Sequence, residues 1–399
     1  MAGQALSDLR VLEYSDLVSG PYCAKLLADL GADVIKIEAP RIGDSARRRG
    51  PFLNDRPGPE RSGLFFYLNT NKRGITLNLE SKAGQGIFKE LIKETDILIE
   101  DRLQRAMLSL GLDYDSLREI NPELIQTSIT PFGQTGPYRD YKAYHLNTYH
   151  SGLGYVTPGN APSLDKEPLK TGGFVGEYAS GLSAAVATLA ALHWKGKTGA
   201  GQFIDVSKQE ALINLQRVRA VAYPNSGKVF RRLAVVSGTG GLIECKDGYV
   251  MATLPEAHQW QGFAKLLNRP DLADEKYNDT EYRNEHWKEK IAPAISKFAS
   301  QKTKEELYHK GQELGCPIVP VNSPADVVNS RQLKDRGFLV EADMHGEGKI
   351  RYPAAPYKLS VTPWREGTAP ILGQHNEDVY RGLGYSKKDI LKMSEDGVI

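Results

Sequence analysis

Cysteine is scarce: Cys23, Cys245 and Cys316 are the only three in 399 residues, an odd number at irregular spacing. That excludes a disulfide framework or a zinc site and predicts reduced thiols in a cytoplasmic setting. Net charge is also nearly absent. Lys and Arg number 51 against 49 Asp and Glu, leaving +2 with the basic residues dispersed, which removes the electrostatic case for nucleic acid. Only Arg47-Arg48-Arg49 is concentrated, and it suits a solvated loop or a phosphate contact equally. No run of about 18 unbroken apolar residues occurs, so no membrane span is expected. The start, Met1 to Asp8, lacks the basic-then-apolar pattern of a signal peptide.

Familiar chemical motifs are missing too. The eight histidines form no His-x-x-x-His pair with a following acid, and nothing else is spaced as a metal site. No Gly-x-Ser-x-Gly elbow exists. Gly196-Lys197-Thr198 imitates the end of a P-loop, but Ala191 stands where that motif needs glycine. The cluster Ser237-Gly-Thr-Gly-Gly241 opens no helix, which excludes dinucleotide binding there and leaves a flexible glycine loop or an inert turn.

What is present reads as an α/β protein. A content of 40% hydrophobic and 25% charged residues is that of an ordinary globular chain, and its length favours two domains. Strands are predicted at Arg10–Tyr14, Asp33–Glu38, Gly74–Asn78, Asp96–Glu100, Leu124–Thr130 and Gln202–Val206. Helices fall at Tyr22–Leu30, from Ser81 to about Lys93, and at Lys208–Val221. Such alternation predicts a Rossmann-like, mostly parallel sheet with helices on both faces. The character changes after Tyr223, with a hairpin turning on Asp247-Gly248, charged helices to about Leu314, and Pro317–Val321 as a strand returning toward the first domain. Two more strands, near Phe338–Ala342 and Tyr357–Ser360, and a helix from Ser386 close the chain. The expected division is a large domain over 1–222 and 330–399 with a small domain at 223–329.

The most informative spot is Gly176-Glu177. A lone carboxylate there opens an almost wholly apolar helix, Tyr178 to His193, which is expected in a core before a turn at Lys195–Gly201. An acid at that point suits the positive end of the helix dipole, and by itself it reads as a helix-capping residue. An ionised carboxylate beside a buried element nevertheless needs partners.

Val11-Leu-Glu-Tyr-Ser-Asp-Leu-Val-Ser-Gly-Pro21 and Leu26-Leu-Ala-Asp-Leu-Gly-Ala-Asp-Val-Ile-Lys-Ile-Glu38 resemble the opening of the class III CoA-transferases. That family includes formyl-CoA transferase, carnitine CoA-transferase and the α-methylacyl-CoA racemases. Asn71-Lys-Arg-Gly-Ile75, Phe132-Gly-Gln-Thr-Gly-Pro137, Lys197-Thr-Gly-Ala-Gly-Gln202, Gly315-Cys-Pro-Ile-Val-Pro-Val321, Leu372-Gly-Gln-His375 and Leu383-Gly-Tyr385 extend the resemblance along nearly the whole chain. It implies reversible CoA transfer from an acyl-CoA to a free carboxylic acid, with CoA as a substrate moiety and no metal or redox cofactor. It also implies an interlocked homodimer.

Residue by residue, the resemblance makes Glu177 the counterpart of the family's aspartate nucleophile, longer by one methylene. Either Glu177 is a repositioned nucleophile, or the chain is an inactive partner subunit of a heteromeric transferase. Val18 and Ser19 stand where the family contacts CoA and the reacting carbonyl, although the family's glutamine is absent at Val18. Lys72, Arg73 and Lys142 resemble CoA phosphate contacts. Asp101-Arg102-Leu-Gln-Arg105 replaces the family's Asn-Phe-x-Pro-Gly pattern, so Arg102 or Arg105 is expected to take over binding. Tyr144 and His145 lie where the family has a tyrosine–glutamate pair, and Gly240 and Gly241 belong to the counterpart of its glycine loop. His145 also raises a racemase or isomerase alternative, an acid–base pair with Glu177, and His150 is a further candidate base. Tyr144, Tyr149, Tyr155 and Tyr178 hint at a bulky or aromatic acid.

Overall fold

The structure, a computed structural model, describes residues 3–152, 167–227 and 238–399. Tyr155 and Ser237 lie outside the described residues. One compact unit takes in the described residues of Met1–Gly159 and Pro168–Arg231 together with Arg336–Ile399; the other takes in those of Asn160–Glu167 and Arg232–Asp335.

In the first unit the chain alternates β1 (Arg10–Tyr14), α1 (Ser19–Ala28), β2 (Asp33–Glu38), α2 (Gly63–Asn69), β3 (Arg73–Thr76), α3 (Lys82–Ile92), β4 (Ile97–Glu100), α4 (Gln104–Leu110), α5 (Tyr114–Arg118) and β5 (Ile125–Thr130). Then come α6 (His145–Gly152), α7 (Val175–Thr198), β6 (Phe203–Ser207), α8 (Lys208–Leu215) and α9 (Arg217–Ser226). All six strands are parallel, in the order β3-β2-β1-β4-β5-β6. This is the doubly wound arrangement, whose strand order reverses between β1 and β4. Strands covered on both faces are buried at every position, as β4 and β5 are; the polar residues of β5 and Glu100 at the end of β4 are buried with them. Alternate residues feed different cores: Leu12 and Leu98 pack on the α3 side, and Val11, Ile97 and Ile99 pack on the α1 and α7 side.

Polar side chains fix the helix starts. Ser62, Ser81, Asp113 and Ser207 each accept the backbone N–H three residues on, at α2, α3, α5 and α8. Helix α7 corrects the expected turn at Lys195, running on to Thr198 before Gly199 ends it in the left-handed conformation. By length and composition α7 could cross a membrane. Its Ser180, Gly181, Ala184, Ala185 and Thr188 are nevertheless buried in this unit. A Cβ on Gly181 would meet Ser19 O at 2.5 Å, so only glycine allows α1 and α7 to pack this closely. The whole helix is not core, as its apolar sequence suggested: Leu182, Val186, Leu189 and Trp194 are exposed.

In the second unit β7 (Gly240–Cys245) and β8 (Gly248–Thr253) form the expected hairpin, over a core that includes Trp260, Phe263 and Tyr277. The strand β9 (Ile318–Pro320) pairs with β8, so this segment completes the small sheet instead of joining the first unit's sheet. Of the two closing strands, β10 (Leu339–Asp343) is as expected, but its partner is β11 (Lys349–Pro353) and not Tyr357–Ser360. Gly346 and Gly348, both at positive φ, turn the chain back at once.

A buried charge network ties the first three strands together. The parallel register sets Glu13 beside Lys36. Lys36 Nζ donates to Glu13 Oε1 at 2.8 Å and contacts Asp44 Oδ2 at 2.7 Å, while Lys72 Nζ donates to Glu13 Oε2 at 2.7 Å. Arg47 forks onto Glu38 at 2.7 and 2.8 Å. These six side chains are buried, three acids against three bases. Removing one member strands its partners without solvent. Lys36→Met should therefore lower unfolding free energy by roughly 3–5 kcal/mol in denaturant titration; a change within 0.5 kcal/mol, the usual scatter of surface substitutions, would contradict the role given to the network.

Candidate active site

In a doubly wound sheet the loops beyond the carboxyl ends of the strands form the natural site. Here they bring together Ser19 at the start of α1, Asp101 and Arg102 after β4, and Lys208 directly after β6. Glu177 joins them from the first turn of α7. Glu177 is 4% exposed, and its Oε2 accepts from Lys208 Nζ at 2.7 Å. Burial pushes the carboxyl up, but the charge and hydrogen bond of Lys208, with smaller help from Ser19 and His145, more than offset it. The carboxyl lies below its ordinary pKa and is held as an anion. The Ser19 hydroxyl is buried and, among the described residues, makes no hydrogen bond of normal geometry.

His145 opens α6 within electrostatic reach of Glu177. Its Nε2 lies 3.0 Å from Gly173 O. A carbonyl only accepts, so Nε2 carries the proton and Nδ1 is left with a lone pair, buried and without a hydrogen bond among the described residues. Burial, aided by Lys170 and Lys208, lowers the imidazole pKa. Tyr144 does not join it: the side chain is 79% exposed. His150 is exposed as well.

A cleft of about 320 Å³ lies over the carboxyl ends of β1, β2 and β3, lined among others by Tyr14, Asp16, Asp44, Glu80, Arg48 and Arg102. Arg102 sits 4.5 Å over the Tyr14 ring, with Asp101 3.5 Å from its Nε. Burial and neighbouring Asp44 push Asp16 up to about 6. Of the arginine run, Arg47 is consumed in the buried network, while Arg48 reaches the cleft and Arg49 is exposed.

Several expected contacts are corrected by this geometry. Lys72 is no phosphate ligand: it is buried, and its ammonium protons go to Glu13, Pro21 O and Asn69. Arg73 begins β3, at the opposite end of the sheet, and is bound at 2.8 and 2.6 Å to Asp33. Arg105 and Lys142 are exposed, with no ion pair among the described residues. Val18 is buried just ahead of α1, beside Ser19. Gly240 and Gly241 are not a loop. Both belong to β7, opposite Thr253 and Ala252, and a Cβ on Gly240 would meet Ala252 O at 2.4 Å. Lys208 is the partner that reading the sequence missed. Its signal was a cation immediately after a parallel strand, at the edge where such sheets bind ligands.

Residues 6–376 match the family described as CoA-transferase family III. The chain is 33% identical over 417 residues to a formyl-CoA:oxalate CoA-transferase of Streptomyces avermitilis, covering 99% of this chain and 100% of the relative. It is 30% identical over 410 residues to succinyl-CoA:(R)-benzylsuccinate CoA-transferase subunit BbsE of Thauera aromatica, covering 100% and 98%. Among solved structures, a CAIB/BAIF family protein from Brucella suis superposes with a TM-score of 0.83 at 29% identity, covering 96% of this chain and 100% of that one. The chain belongs to CoA-transferase family III.

The end of β4, just ahead of Arg102, makes a separate prediction. Glu100 is fully buried, and desolvation pushes its carboxyl up to about 7. Its Oε2 accepts from Arg102 N at 2.6 Å, while Gln126 Oε1 nearby lacks a partner. The folded state holds this proton more tightly than the unfolded chain, so stability falls as pH rises from about 4.5 to about 7. Glu100→Gln removes the titration, and its amide can donate to Gln126. The substitution should raise the melting temperature more at pH 8 than at pH 5; an equal shift at both would be the contrary result.

Proposed function

We propose that this family III CoA-transferase moves CoA from an acyl-CoA to a free carboxylic acid, with Glu177 as the carboxylate that carries it. The observation supporting this reading is a buried anionic carboxylate, in the first turn of a helix, at the carboxyl edge of a doubly wound sheet. A carboxylate oxygen attacks the thioester carbonyl and the C–S bond breaks, giving a mixed anhydride and CoA thiolate. The thiolate then attacks the glutamyl carbonyl, forming a new C–S bond and releasing the donor acid. The acceptor acid reverses both steps, and no net proton or electron is exchanged. One relative is named as a CoA-transferase between formyl-CoA and oxalate, and the other as a subunit of one between succinyl-CoA and (R)-benzylsuccinate. Arg102 and Arg48, lining the cleft, are the cations offered to CoA phosphates. The three buried thiols suit a reducing compartment.

The exposed apolar stripe Leu182, Val186 and Leu189 on α7 suits burial against a second copy of the chain. A paralogous subunit is the alternative occupant, since one relative is named as a subunit. A second chemical reading rests on His145: an imidazole within electrostatic reach of the Glu177 carboxylate, its Nδ1 unbonded among the described residues, would serve to exchange an α-proton.

Purified protein alone should exchange CoA between acids, and Glu177→Gln should abolish this, because an amide oxygen is too weak a nucleophile. Full activity in that variant would defeat the reading, and α-proton exchange with deuterated water in place of transfer would favour the racemase. Arg102→Ala should raise the KM for acyl-CoA more than it lowers kcat, while Arg73→Ala should leave the KM unchanged. For assembly, Val186→Glu should shift light scattering from dimer to monomer; a wild-type monomer at micromolar concentration would remove the dimer.

A further inference from the structure

Resting on Glu177 as the acceptor carboxylate, we infer that Lys208 is a further catalytic residue, stabilising the oxyanion that forms on Glu177 itself. The geometry separates the two carboxylate oxygens. Oε2 is held by Lys208 Nζ at 2.7 Å, while the Ser19 hydroxyl bears on the carboxylate more weakly. Oε1, the oxygen that the ammonium does not hold, then attacks, and it becomes the bridging atom of the anhydride. Oε2 becomes the glutamyl carbonyl oxygen.

When CoA thiolate adds to Glu177 Cδ, the carbonyl electron pair moves onto Oε2. The ammonium already sits on that atom. When the tetrahedral centre collapses, the Cδ–Oε1 bond breaks and the donor carboxylate leaves with its electron pair. Lys208 thus meets negative charge on Oε2 in the resting carboxylate and again in the tetrahedral adduct on either side of the glutamyl-CoA thioester. A donor placed beforehand needs no rearrangement as charge develops. The pair is little exposed, with side-chain exposures of 14% for Lys208 and 5% for Glu177, so water screens it weakly.

Position supports the assignment. Lys208 is the first residue of α8, directly after Ser207, whose hydroxyl caps that helix. The ammonium is delivered from a strand end, not from a mobile loop tip. The other groups bearing on the pair are His145 from α6, itself influenced by Lys170 ahead of α7, Ser19 from α1, and Asp101 after β4. Among the described residues, Lys208 alone is bonded to the carboxylate as a cation.

The test compares wild type, Lys208→Arg and Lys208→Met, using formyl-CoA and succinyl-CoA as probes. Acid-quenched intact-mass measurements follow CoA adding to the protein, across pH. Lys208→Met should slow adduct formation by about 10²–10³-fold, the loss typical of one oxyanion donor, with little change in the acyl-CoA concentration for half-maximal rate. Its acidic limb should also move to higher pH, because burial of Glu177 is then unopposed. Lys208→Arg should recover much of the rate and return the limb toward wild type. A Lys208→Met protein with normal circular dichroism, wild-type rate and an unmoved limb overturns the proposal. So does a loss that Lys208→Arg and Lys208→Met share equally with no movement of the limb. Wild type forming no adduct with either probe overturns the Glu177 reading itself, and this proposal with it.

Discussion

Six charged side chains buried around β1 and β2 hold the rest of the architecture in place. Glu13, Glu38 and Asp44 are matched by Lys36, Lys72 and Arg47, so the ensemble is neutral although almost none of it meets water. A buried charge persists only when paired, so the strands that carry these residues cannot slip in register without exposing an unmatched ion. The same network anchors the segment after β2, which lines the cleft, and the stretch before β3. It also explains why Lys72 serves structure: its ammonium is already saturated.

The parallel sheet and its helices were legible because period-2 and near-continuous apolar strands alternate with capped helices. What failed was contextual. The Lys195–Gly201 segment reads as a turn, yet a helix continues through Gly196 until Gly199 supplies the left-handed residue. Ile318–Pro320 reads as a strand, but nothing in three apolar residues says which sheet will take it. The apolar helix α7 reads as core, although half its circumference remains open.

At the site, Glu177 stood out as an acid at the head of an apolar helix. Its partner did not, because Lys208 lies 31 residues on and meets Glu177 only through the sheet's topology. Motif position also misassigned Arg73. Adjacent to Lys72, it lies at the amino end of β3, where Asp33 holds it far from the carboxyl edge. Tyr144 and His145 are neighbours in sequence, yet one faces solvent and the other packs near the carboxylate. A glutamate, longer than aspartate by one methylene, with a lysine on one of its oxygens, is a coherent pair.

The most direct test of Glu177 as the carrying carboxylate is chemical trapping. Wild-type protein exposed to an acyl-CoA and then to hydroxylamine should yield a hydroxamate. Mass spectrometry of the peptide spanning Leu169 to Lys195 should place it on Glu177. Turnover with CoA exchange but no modification anywhere in that peptide would contradict the account.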